Sequence, residues 1–357
     1  MGAPLNTLTL DGLTLSGDAL VDLAIALRID REDAEWTCSF QRLIDELITS
    51  DGPLIAHTSG TTGPPKRIVL DRVDLLASAH LTGKTFGLTK GDRALLCLPC
   101  GFIAGKMMVV RAMVLGLDLH VIDPRGSILD HLDREEHFRF TAMVPHQLQR
   151  ALEEDPERVN AQFNTILLGG GPVGSMLLDL VNTIGTKVFQ SYGSTETLTH
   201  VALRALNGPD RSDAFRALGP VNFGLDVRGC LVIYTPHLST SQHITNDLVE
   251  LIDTTHFRWL GRVDNVILSG GKKVFPEQLE ARTATVLPYP HYFTATADER
   301  LGQAVVLVLE TENTAKEVMS DIMTALMQVL EKHELPRHVR TVPGFIRTES
   351  GKLVRRN

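Results

Sequence analysis

The residues best suited to chemistry form one short run near the start of the chain, from Thr58 to Lys66. The run reads Thr58-Ser59-Gly60-Thr61-Thr62-Gly63-Pro64-Pro65-Lys66. Its glycines let backbone N–H groups approach a polyphosphate, its hydroxyl side chains add donors, and Lys66 supplies a compact positive charge. It is not a Walker A loop, because Lys66 is followed by Arg67 rather than by Ser or Thr. We therefore predict a polyphosphate-binding loop rather than a turn without function.

A second polar segment follows a predicted strand that ends near Gln190 and reads Ser191-Tyr192-Gly193-Ser194-Thr195-Glu196-Thr197. Thr195 is suited to donate to a phosphate oxygen. Glu196 is an isolated carboxylate, and Mg²⁺ is usually held by one or two carboxylates together with phosphate oxygens. The alternative is a polar turn in which Glu196 caps a helix.

The run Gly169-Gly170-Gly171-Pro172-Val173-Gly174 has the glycine spacing of a dinucleotide-binding loop that follows a strand. Pro172 removes a backbone donor from that turn, and the acidic residue expected about twenty positions further on has no clear counterpart before Glu196. We interpret the three consecutive glycines instead as a flat backbone wall for a base or an acyl group.

Three single residues are weaker candidates. Asp247 and Arg262 lie near predicted strand ends, where a carboxylate and a guanidinium together suit the hydroxyls of a ribose, although surface ion pairs are the alternative. Lys352 follows Gly351 on a basic tail, and such a tail is more often simply solvated.

Lys106 and Arg111 interrupt a predicted helix that is otherwise apolar. A buried cation without a partner is costly, so each requires either an internal acid or an anionic ligand. Cys97 and Cys100 have the spacing of a redox pair, but Cys97 belongs to an apolar strand, so we interpret both as structural. The histidines form no clustered ligand set, so Mg²⁺ is the only metal predicted.

The elements that position these residues alternate between strands and helices in the first part of the chain. Apolar runs predict strands at 94–98, 118–122, 141–144, 165–168 and 187–189, with a long helix over 103–115. This alternation predicts an α/β fold with a doubly wound parallel sheet. The first fifty residues are typical of helix, and short strands over 219–259 predict a small β-rich subdomain.

The last part of the chain predicts a smaller, mobile α+β domain. A strand is expected over 304–310, and a helix face formed by Val318, Ile322, Leu326, Val329 and Leu330 is expected to end at Pro336. We therefore divide the chain into an N-terminal core, 1–263, and a C-terminal domain, 264–357.

Composition excludes several classes of protein. The chain has 357 residues, 43% hydrophobic and 22% charged, with a formal net charge of −8, so it is globular and is not held to nucleic acid or anionic membrane by general attraction. No apolar run approaches the length of a membrane span, and the first residues lack a signal-peptide pattern. With 4 cysteines in addition, the expectation is a cytoplasmic protein without a disulfide framework.

Taken in order, the motifs resemble those of the adenylate-forming superfamily of acyl-CoA synthetases, adenylation domains and luciferases. The matching segments are HTSGTTGPPK, QSYGSTET, ITNDLVEL, WLGRVDNVILSGGKKVFPEQLE and TESGKLVRR, which are spread from residue 57 to residue 356. Within the superfamily, CLPCGFIAGKMMVVRAM, MVPHQL and RGCLVI resemble a short form of the o-succinylbenzoate-CoA ligases of menaquinone biosynthesis. Phe102 replaces the usual histidine of a helix motif, and only about 57 residues precede the phosphate loop.

The resemblance implies that a carboxylic acid and ATP form an acyl-adenylate, from which the thiol of CoA displaces AMP. Lys352 would bridge the carboxylate and the α-phosphate, Thr195 would contact that phosphate, and Glu196 would hold Mg²⁺. The nucleotide would also be bound by Thr58, Ser59, Gly60, Thr61, Thr62, Gly63, Lys66, Gly169, Gly170, Gly171, Tyr192, Gly193, Asp247 and Arg262.

Asp264 is the hinge that the resemblance implies, about which the C-terminal domain would rotate between the two half-reactions. Phe102, Lys106, Arg111 and Ser191 are the candidate substrate contacts, and the second carboxylate of a dicarboxylic aromatic acid is a candidate partner for Lys106 or Arg111. The expected partners are a small carboxylic acid, ATP and CoA, without nucleic acid or membrane insertion, and a homodimer is one expectation.

Two other functions are consistent with the same motifs. A stand-alone adenylating enzyme would pass another aryl or fatty acid to a carrier protein, and an inactive AMP-binding sensor or scaffold would catalyse nothing. Joint retention of Thr195, Glu196, Asp247, Arg262 and Lys352 favours an active enzyme over the last of these.

Overall fold

The computed structural model describes residues 5–58, 66–312, 315–347 and 353–355. Its helices are α1 (Asp18–Asp30), α2 (Glu35–Thr49), α3 (Arg72–Phe86), α4 (Ile103–Leu115), α5 (Pro145–Glu154), α6 (Pro156–Gln162), α7 (Ser175–Val181), α8 (Pro276–Thr283) and α9 (Lys316–Val329).

The strands of the first part are β1 (Thr7–Leu10), β2 (Leu13–Ser16), β3 (Leu54–Thr58), β4 (Lys66–Leu70), β5 (Arg93–Leu96), β6 (Asp118–Val121), β7 (Phe140–Met143), β8 (Thr165–Leu168), β9 (Lys187–Ser194) and β10 (Thr199–Ala205). Those that follow are β11 (Phe215–Ala217), β12 (Asn222–Leu225), β13 (Cys230–Tyr234), β14 (Gln242–Asp253), β15 (His256–Arg262), β16 (Ile267–Ser269), β17 (Lys272–Val274), β18 (His291–Asp298), β19 (Gly302–Glu310) and β20 (His338–Val342).

One 13-stranded sheet organises most of the chain, in the order β12-β13-β14-β15-β11-β10-β9-β8-β7-β5-β6-β1-β2. The pairs from β9 through β8, β7, β5 and β6 to β1 are parallel, whereas the pairs from β9 through β10 to β12 are antiparallel. The predicted α/β fold and the predicted β-rich segment are therefore both confirmed. The β-rich strands continue the large sheet and do not form a sheet of their own.

The parallel part is covered on both faces, as a doubly wound sheet requires. Along β5, Ala94 and Leu96 belong to one apolar cluster and Leu95 to the other, because successive side chains of a strand point to opposite faces. The first cluster includes residues of α1 to α4, and the second includes residues of α5 to α7. Helix α4 is buried over most of its length, which explains its nearly continuous apolar sequence.

The C-terminal part has a sheet and a core of its own. Strands β17-β16-β19-β18 form this sheet, and β20 pairs with β19 in parallel. Its core includes Phe293, Leu307, Ile322 and Leu326. A 3₁₀ turn, Val263–Asn265, connects β15 to β16 and contains Asp264. The division of the chain at 263/264 stays a prediction.

Several predicted boundaries differ from the structure. Helix α4 and strand β8 have the predicted limits, but α9 ends at Val329, several residues before Pro336. The helical prediction for the first fifty residues is wrong at its beginning, where β1 and β2 form a hairpin. Asp11 and Gly12 form its turn with positive φ of 47° and 80°, as an Asp-Gly pair permits.

No helix among the described residues is long and apolar enough to cross a membrane.

A cluster of charged side chains joins the β1–β2 hairpin to the sheet. Asp11 bonds His120 Nδ1 at 2.5 Å and Arg93 Nη2 at 3.1 Å, and Arg93 also bonds Glu136 at 3.2 Å. Burial alone would lower the pKa of His120, but the hydrogen bond and charge of Asp11 outweigh it and raise that pKa. The hydrogen bond from His120 is the main cause that lowers the pKa of Asp11.

These shifts make stability depend on pH. The contribution of His120 is present below its unfolded pKa of about 6.5 and is lost as the pH rises through its higher folded pKa. We expect His120→Gln to lower Tm by about 1–3 °C at pH 5.5, the size of a partly exposed ion pair, and by less at pH 8.5. Thermal unfolding of the variant and of a control at the exposed His80, His80→Gln, measures this difference. An equal loss at both pH values would contradict the assigned charge of His120.

Candidate active site

The second polar segment, from Ser191 to Thr197, was predicted to be a loop. In the structure it forms the end of one strand of a β-hairpin and most of the hairpin turn. Strand β9 continues to Ser194, a turn over 195–198 follows, and β10 begins at Thr199. Thr195 and Glu196 therefore lie in the turn, so the alternative in which Glu196 caps a helix is wrong. The Thr197 hydroxyl accepts a hydrogen bond from Ser194 N at 2.9 Å and lies 2.9 Å from Thr199 O, which fixes the turn. This role of Thr197 was not predicted from the sequence, although threonine hydroxyls commonly bond to nearby backbone in turns.

Gly193 is required by the close approach of the two strands of this hairpin. A Cβ atom at Gly193 would lie 1.6 Å from Thr199 O and 2.5 Å from Thr199 C, which no side chain can occupy. Leu198, inside the turn, has φ of 60°, a conformation that is costly for a residue with a side chain. The backbone that carries Thr195 and Glu196 is thus strictly determined.

A cavity of about 350 Å³ opens beside the hairpin. It brings together five predicted residues from distant parts of the sequence, namely Tyr192, Gly193, Glu196, Asp247 and Arg262. Its other lining residues were not predicted and are Ser194, Ile233, His243, Ile244, Thr245 and Asn246. Its volume is in the range of small-molecule sites.

Asp247 and Arg262 are direct partners across β14 and β15. Asp247 lies inside β14, next to a break in register, so its predicted place at a strand end is wrong, whereas Arg262 ends β15. The Tyr192 hydroxyl donates to Asp247 Oδ2 at 2.6 Å, and Arg262 Nη1 lies 3.7 Å from Asp247 Oδ1. Burial and the charge of Asp247 raise the pKa of Tyr192 well above its usual value, so its hydroxyl stays a donor.

Arg262 also connects the cavity to the predicted hinge. Its Nη2 bonds Asp264 Oδ2 at 2.9 Å. Asn246 donates to the same Asp264 oxygen at 3.3 Å and accepts a bond of 2.9 Å from Arg228. Neither Asn246 nor Arg228 was predicted, since only the fold brings the hairpin turn at Arg228 next to β14.

Glu196 and His243 provide the ionisable groups at the end of the cavity nearest the turn. Burial lowers the pKa of His243, and the charge of Glu196 opposes this effect. Within the described ranges no three His, Cys, Asp or Glu side chains form a group that would hold a metal ion. Mg²⁺ that arrives with a nucleotide already has phosphate oxygens as ligands, so one protein carboxylate can be enough to hold it. Glu196 fits this kind of site, and it does not fit a site formed by protein ligands alone.

The glycine wall lies beside this hairpin. Gly169 follows β8, and its N–H bonds Met143 O at 3.1 Å. The Ser191 hydroxyl bonds Leu168 O at 2.8 Å, and a Cβ atom at Gly169 would lie 3.0 Å from the Ser191 oxygen. Gly170 has φ of 80°, and the loop packs near Val144 and Pro145. The wall and Ser191 are therefore neighbours.

Arg111 is buried next to the same hairpin. Only 1% of its surface is exposed, and it bonds the hydroxyls of Thr82 at 3.2 Å and Thr199 at 3.1 Å. Burial lowers its pKa to about 9, and no aspartate or glutamate among the described residues pairs with it. Buried His200 bonds the same Thr82 hydroxyl. A histidine carries no negative charge, so it does not compensate the charge of Arg111.

Two further substrate candidates lie on helix α4, which carries Arg111, or directly before it. Lys106 is 9% exposed, which confirms the predicted burial of a second cation on α4. Phe102 precedes α4, and the residue is 38% exposed.

The two cysteines behave as predicted. Cys97 and Cys100 are buried, and burial raises the pKa of each thiol to about 12, which makes them unreactive.

The phosphate loop is described only at its ends. Strands β3 and β4 are antiparallel, with Thr58 opposite Lys66, so the backbone ends of the predicted loop are held side by side. Ser59, Gly60, Thr61, Thr62, Gly63 and Lys352 lie outside the described residues.

The chain is similar in sequence and in fold to known ligases. The AMP-binding enzyme family matches residues 25–228. Among curated relatives, a probable 2-succinylbenzoate–CoA ligase of Mycobacterium tuberculosis is 29% identical over 340 residues, which are 87% of this chain and 85% of that protein. The 2-succinylbenzoate–CoA ligase of Bacillus velezensis is 27% identical over 341 residues, which are 85% and 68% of the two chains.

The solved structures that resemble this chain are also acyl-CoA synthetases. An acyl-CoA synthetase (AMP-forming)/AMP-acid ligase II-like protein from Dyadobacter fermentans is 37% identical, with a TM-score of 0.60 and coverage of 89% of this chain and 92% of that one. The o-succinylbenzoate CoA synthetase of Bacillus subtilis with its acyl-adenylate intermediate shares the fold at 19% identity, with a TM-score of 0.76 and coverage of 98% and 94%. The same enzyme is also known in complex with ATP and magnesium.

These findings define an adenylate-forming CoA ligase, which is an acid–thiol ligase. The chain belongs to the AMP-binding enzyme family.

The hairpin geometry predicts a severe effect of one added methyl group. Gly193→Ala must displace the backbone of Thr199 and with it the turn that carries Glu196, so we expect at least a hundredfold loss of acid-dependent pyrophosphate release. Gly174→Ala is the matched control, because a Cβ atom there meets nothing within 4 Å. Activity of Gly193→Ala within threefold of the unchanged protein would contradict this geometry.

Proposed function

We propose that this chain is an ATP-dependent ligase that converts o-succinylbenzoate to o-succinylbenzoyl-CoA through an acyl-adenylate. The reaction class is that of an adenylate-forming CoA ligase, and the proposal adds the acid and the residues. The acid is supported by the relatives of that name and by Arg111, a buried cation without a carboxylate partner among the described residues. CoA as acceptor is supported by the same names.

The cavity supports a specific arrangement of ATP. Asp247 and Arg262 would hold the ribose hydroxyls, since the Tyr192 hydroxyl already orients the carboxylate of Asp247. Thr195 would donate to the α-phosphate, and Glu196 would hold Mg²⁺, which neutralises phosphate charge when bound. The segment from Thr58 to Lys66 would bind the β- and γ-phosphates, and Lys352 would bridge the acid and the α-phosphate.

The acid would lie between the hairpin, the glycine wall and helix α4. The carboxylate that reacts would face Thr195, with Ser191 and Gly169 to Gly171 along the aromatic ring and Phe102 at the pocket wall. The second carboxylate would pair with Arg111, which reaches Thr199 at the start of β10. Such a pair offsets the cost of burying the guanidinium, which hydroxyl groups offset only in part.

Half-reactions measured separately test this function. With ATP and o-succinylbenzoate we expect pyrophosphate release, and with CoA added we expect a thioester product. Lys352→Ala should reduce acid-dependent ATP–pyrophosphate exchange by more than a hundredfold and spare thioester formation from premade acyl-adenylate, because the first step is a substitution at the α-phosphate, where negative charge builds, whereas the second step takes place at the acyl carbon.

A panel of other aryl acids and fatty acids, each with and without CoA, serves as the control for the substrate. Faster turnover of another acid would reject o-succinylbenzoate. An acyl-adenylate that accumulates despite CoA would favour the alternative, an adenylating enzyme with a carrier-protein acceptor.

Substitutions on helix α4 test the second carboxylate. Arg111→Met keeps an apolar chain of similar length and removes the charge, so we expect KM for o-succinylbenzoate to rise about 10–100-fold, the value of a charge-assisted hydrogen bond. KM for a monocarboxylic aryl acid should stay unchanged. Lys106→Ala is the parallel test of the other cation, and an unchanged KM would remove Lys106 as the partner. Equal effects of Arg111→Met on both acids would refute the contact.

A further inference from the structure

Three loops that leave the parallel sheet are joined by the side-chain amide of Gln147, which the proposed function does not use. Its Nε2 donates to Cys97 O at 2.8 Å and to Pro124 O at 3.2 Å, and its Oε1 accepts from Val144 N at 3.1 Å. These backbone groups follow strands β5, β6 and β7, which are neighbours in the sheet. The amide therefore lies at the carboxyl ends of the strands, the edge where doubly wound sheets bind ligands.

The chemistry of an amide matches all three partners. Its nitrogen has two N–H donors, which meet two carbonyl oxygens here, and its oxygen is an acceptor, which meets an N–H group. Gln147 occupies the third position of helix α5, where glutamine and glutamate both cap a helix. An ionised glutamate would accept from Val144 N in the same way, but it could donate to neither carbonyl group. The two bonds from Nε2 thus go beyond capping.

The loop after β5 leads to one wall of the proposed acid pocket. Pro99 O accepts a bond of 3.2 Å from Phe102 N, which forms the turn before α4. Helix α4 packs closely on this turn, since a Cβ atom at Gly105 would lie 2.3 Å from Pro99 O. The bond from Gln147 to Cys97 O fixes the point at which this loop leaves the sheet.

The loop after β7 supports the other wall. A Cβ atom at Gly170 would lie 3.5 Å from Val144 Cγ1, and one at Gly171 would lie 3.9 Å from Pro145, so the glycine wall packs near these two residues. Val144 is also the residue whose N–H bonds Gln147. Both walls are therefore attached to one amide, and loss of its bonds would free them to move relative to each other.

The cavity proposed for ATP is held by other elements. The segments that line it begin at Tyr192, and the pairing of β9 with β10 and of β14 with β15 determines their positions. A change at Gln147 should therefore weaken binding of the acid and leave binding of ATP nearly unaltered. General destabilisation of the fold would not separate the two substrates in this way.

We propose that Gln147 is a positioning residue for the acid, because its amide holds the loop that leads to Phe102 and the loop that supports the glycine wall at a fixed separation. This role rests on the proposed function, which places the acid between these two walls. Gln147 itself contacts neither the acid nor ATP.

Gln147→Glu in the full-length chain separates this role from capping. The variant keeps an acceptor for Val144 N and loses both donors, so α5 stays capped while the bond to Cys97 O is broken. We expect KM for o-succinylbenzoate in pyrophosphate release to rise about tenfold, the equivalent of one lost hydrogen bond, with KM for ATP within about twofold. Gln147→Met, which loses all three bonds and adds no charge, should raise KM for the acid at least as much.

Gln149→Glu is the matched control, because it places the same charge on the same helix. Gln149 bonds the side chains of Glu153 and Met176 and does not join the three loops. Both KM values of this variant should stay within about twofold of those of the unchanged protein, since a charge on this face of α5 reaches neither wall. Thermal unfolding of all three variants measures any loss of stability.

The outcomes separate this role from the proposed function. If Gln147→Glu leaves KM for the acid unchanged, or raises both KM values equally, the side chain only caps α5 or stabilises the fold, and the positioning role is overturned while the function stands. If the unchanged protein prefers another acid, the proposed substrate fails, and the two KM values measured with that acid decide the role of Gln147. If no acid supports pyrophosphate release, both proposals fail.

Discussion

Strand β9 sets the constraint on which the site depends, because it pairs parallel with β8 on one side and antiparallel with β10 on the other. The parallel pair brings the end of β8, with its glycine wall, next to Ser191. On the other side, β9 and β10 are joined by a short turn that contains Thr195 and Glu196. At a place where a sheet changes its topology, loops separate and leave room for a ligand. The cavity lies beside this change, and one continuous sheet holds both of its walls.

The two arginines of the candidate site differ in how the free-energy cost of burying their charge is offset. The side chain of Arg262 is 39% exposed, so it stays in contact with water, and it pairs with the carboxylates of Asp247 and Asp264. Arg111 is buried and bonded only to neutral groups among the described residues, so its lowered pKa records an uncompensated cost of burial. A net charge of −8 is therefore compatible with anionic ligands, because a few placed cations bind them and the general surface does not.

The sequence predicts elements well where they are buried on all sides. Helix α4 and strand β8 are continuous apolar runs, and both have the predicted limits. The β1–β2 hairpin was missed because its strands have only 4 residues each and stand directly before a helix, although Asp11-Gly12 is a strong turn signal. The length of β9 was underestimated because Ser191, Gly193 and Ser194 at its end are small residues with little strand preference, and they pair with β10 through the register of the hairpin.

The candidate site was predictable as a set of residue types and not as a geometry. Residue types together with the family resemblance identified Tyr192, Glu196, Asp247 and Arg262, which the cavity brings together. His243 and Asn246 gave no signal of their own, since a single histidine or asparagine in a strand has many structural roles. Their position follows from the register of β14 against β13 and β15, which long-range pairing determines.

Three energetically unfavourable features lie around the β9–β10 hairpin, and their clustering supports a functional role for it. Gly193 admits no side chain, Leu198 adopts a left-handed conformation, and Arg111 is buried without a carboxylate among the described residues. Each of these features destabilises the folded chain, and none improves the packing of the sheet, which apolar residues of ordinary conformation would serve better. Violations of local rules that cluster in one place are expected where a protein performs its chemistry. We therefore infer that the hairpin turn, rather than the run of glycines at 169–171, is the centre of the candidate site.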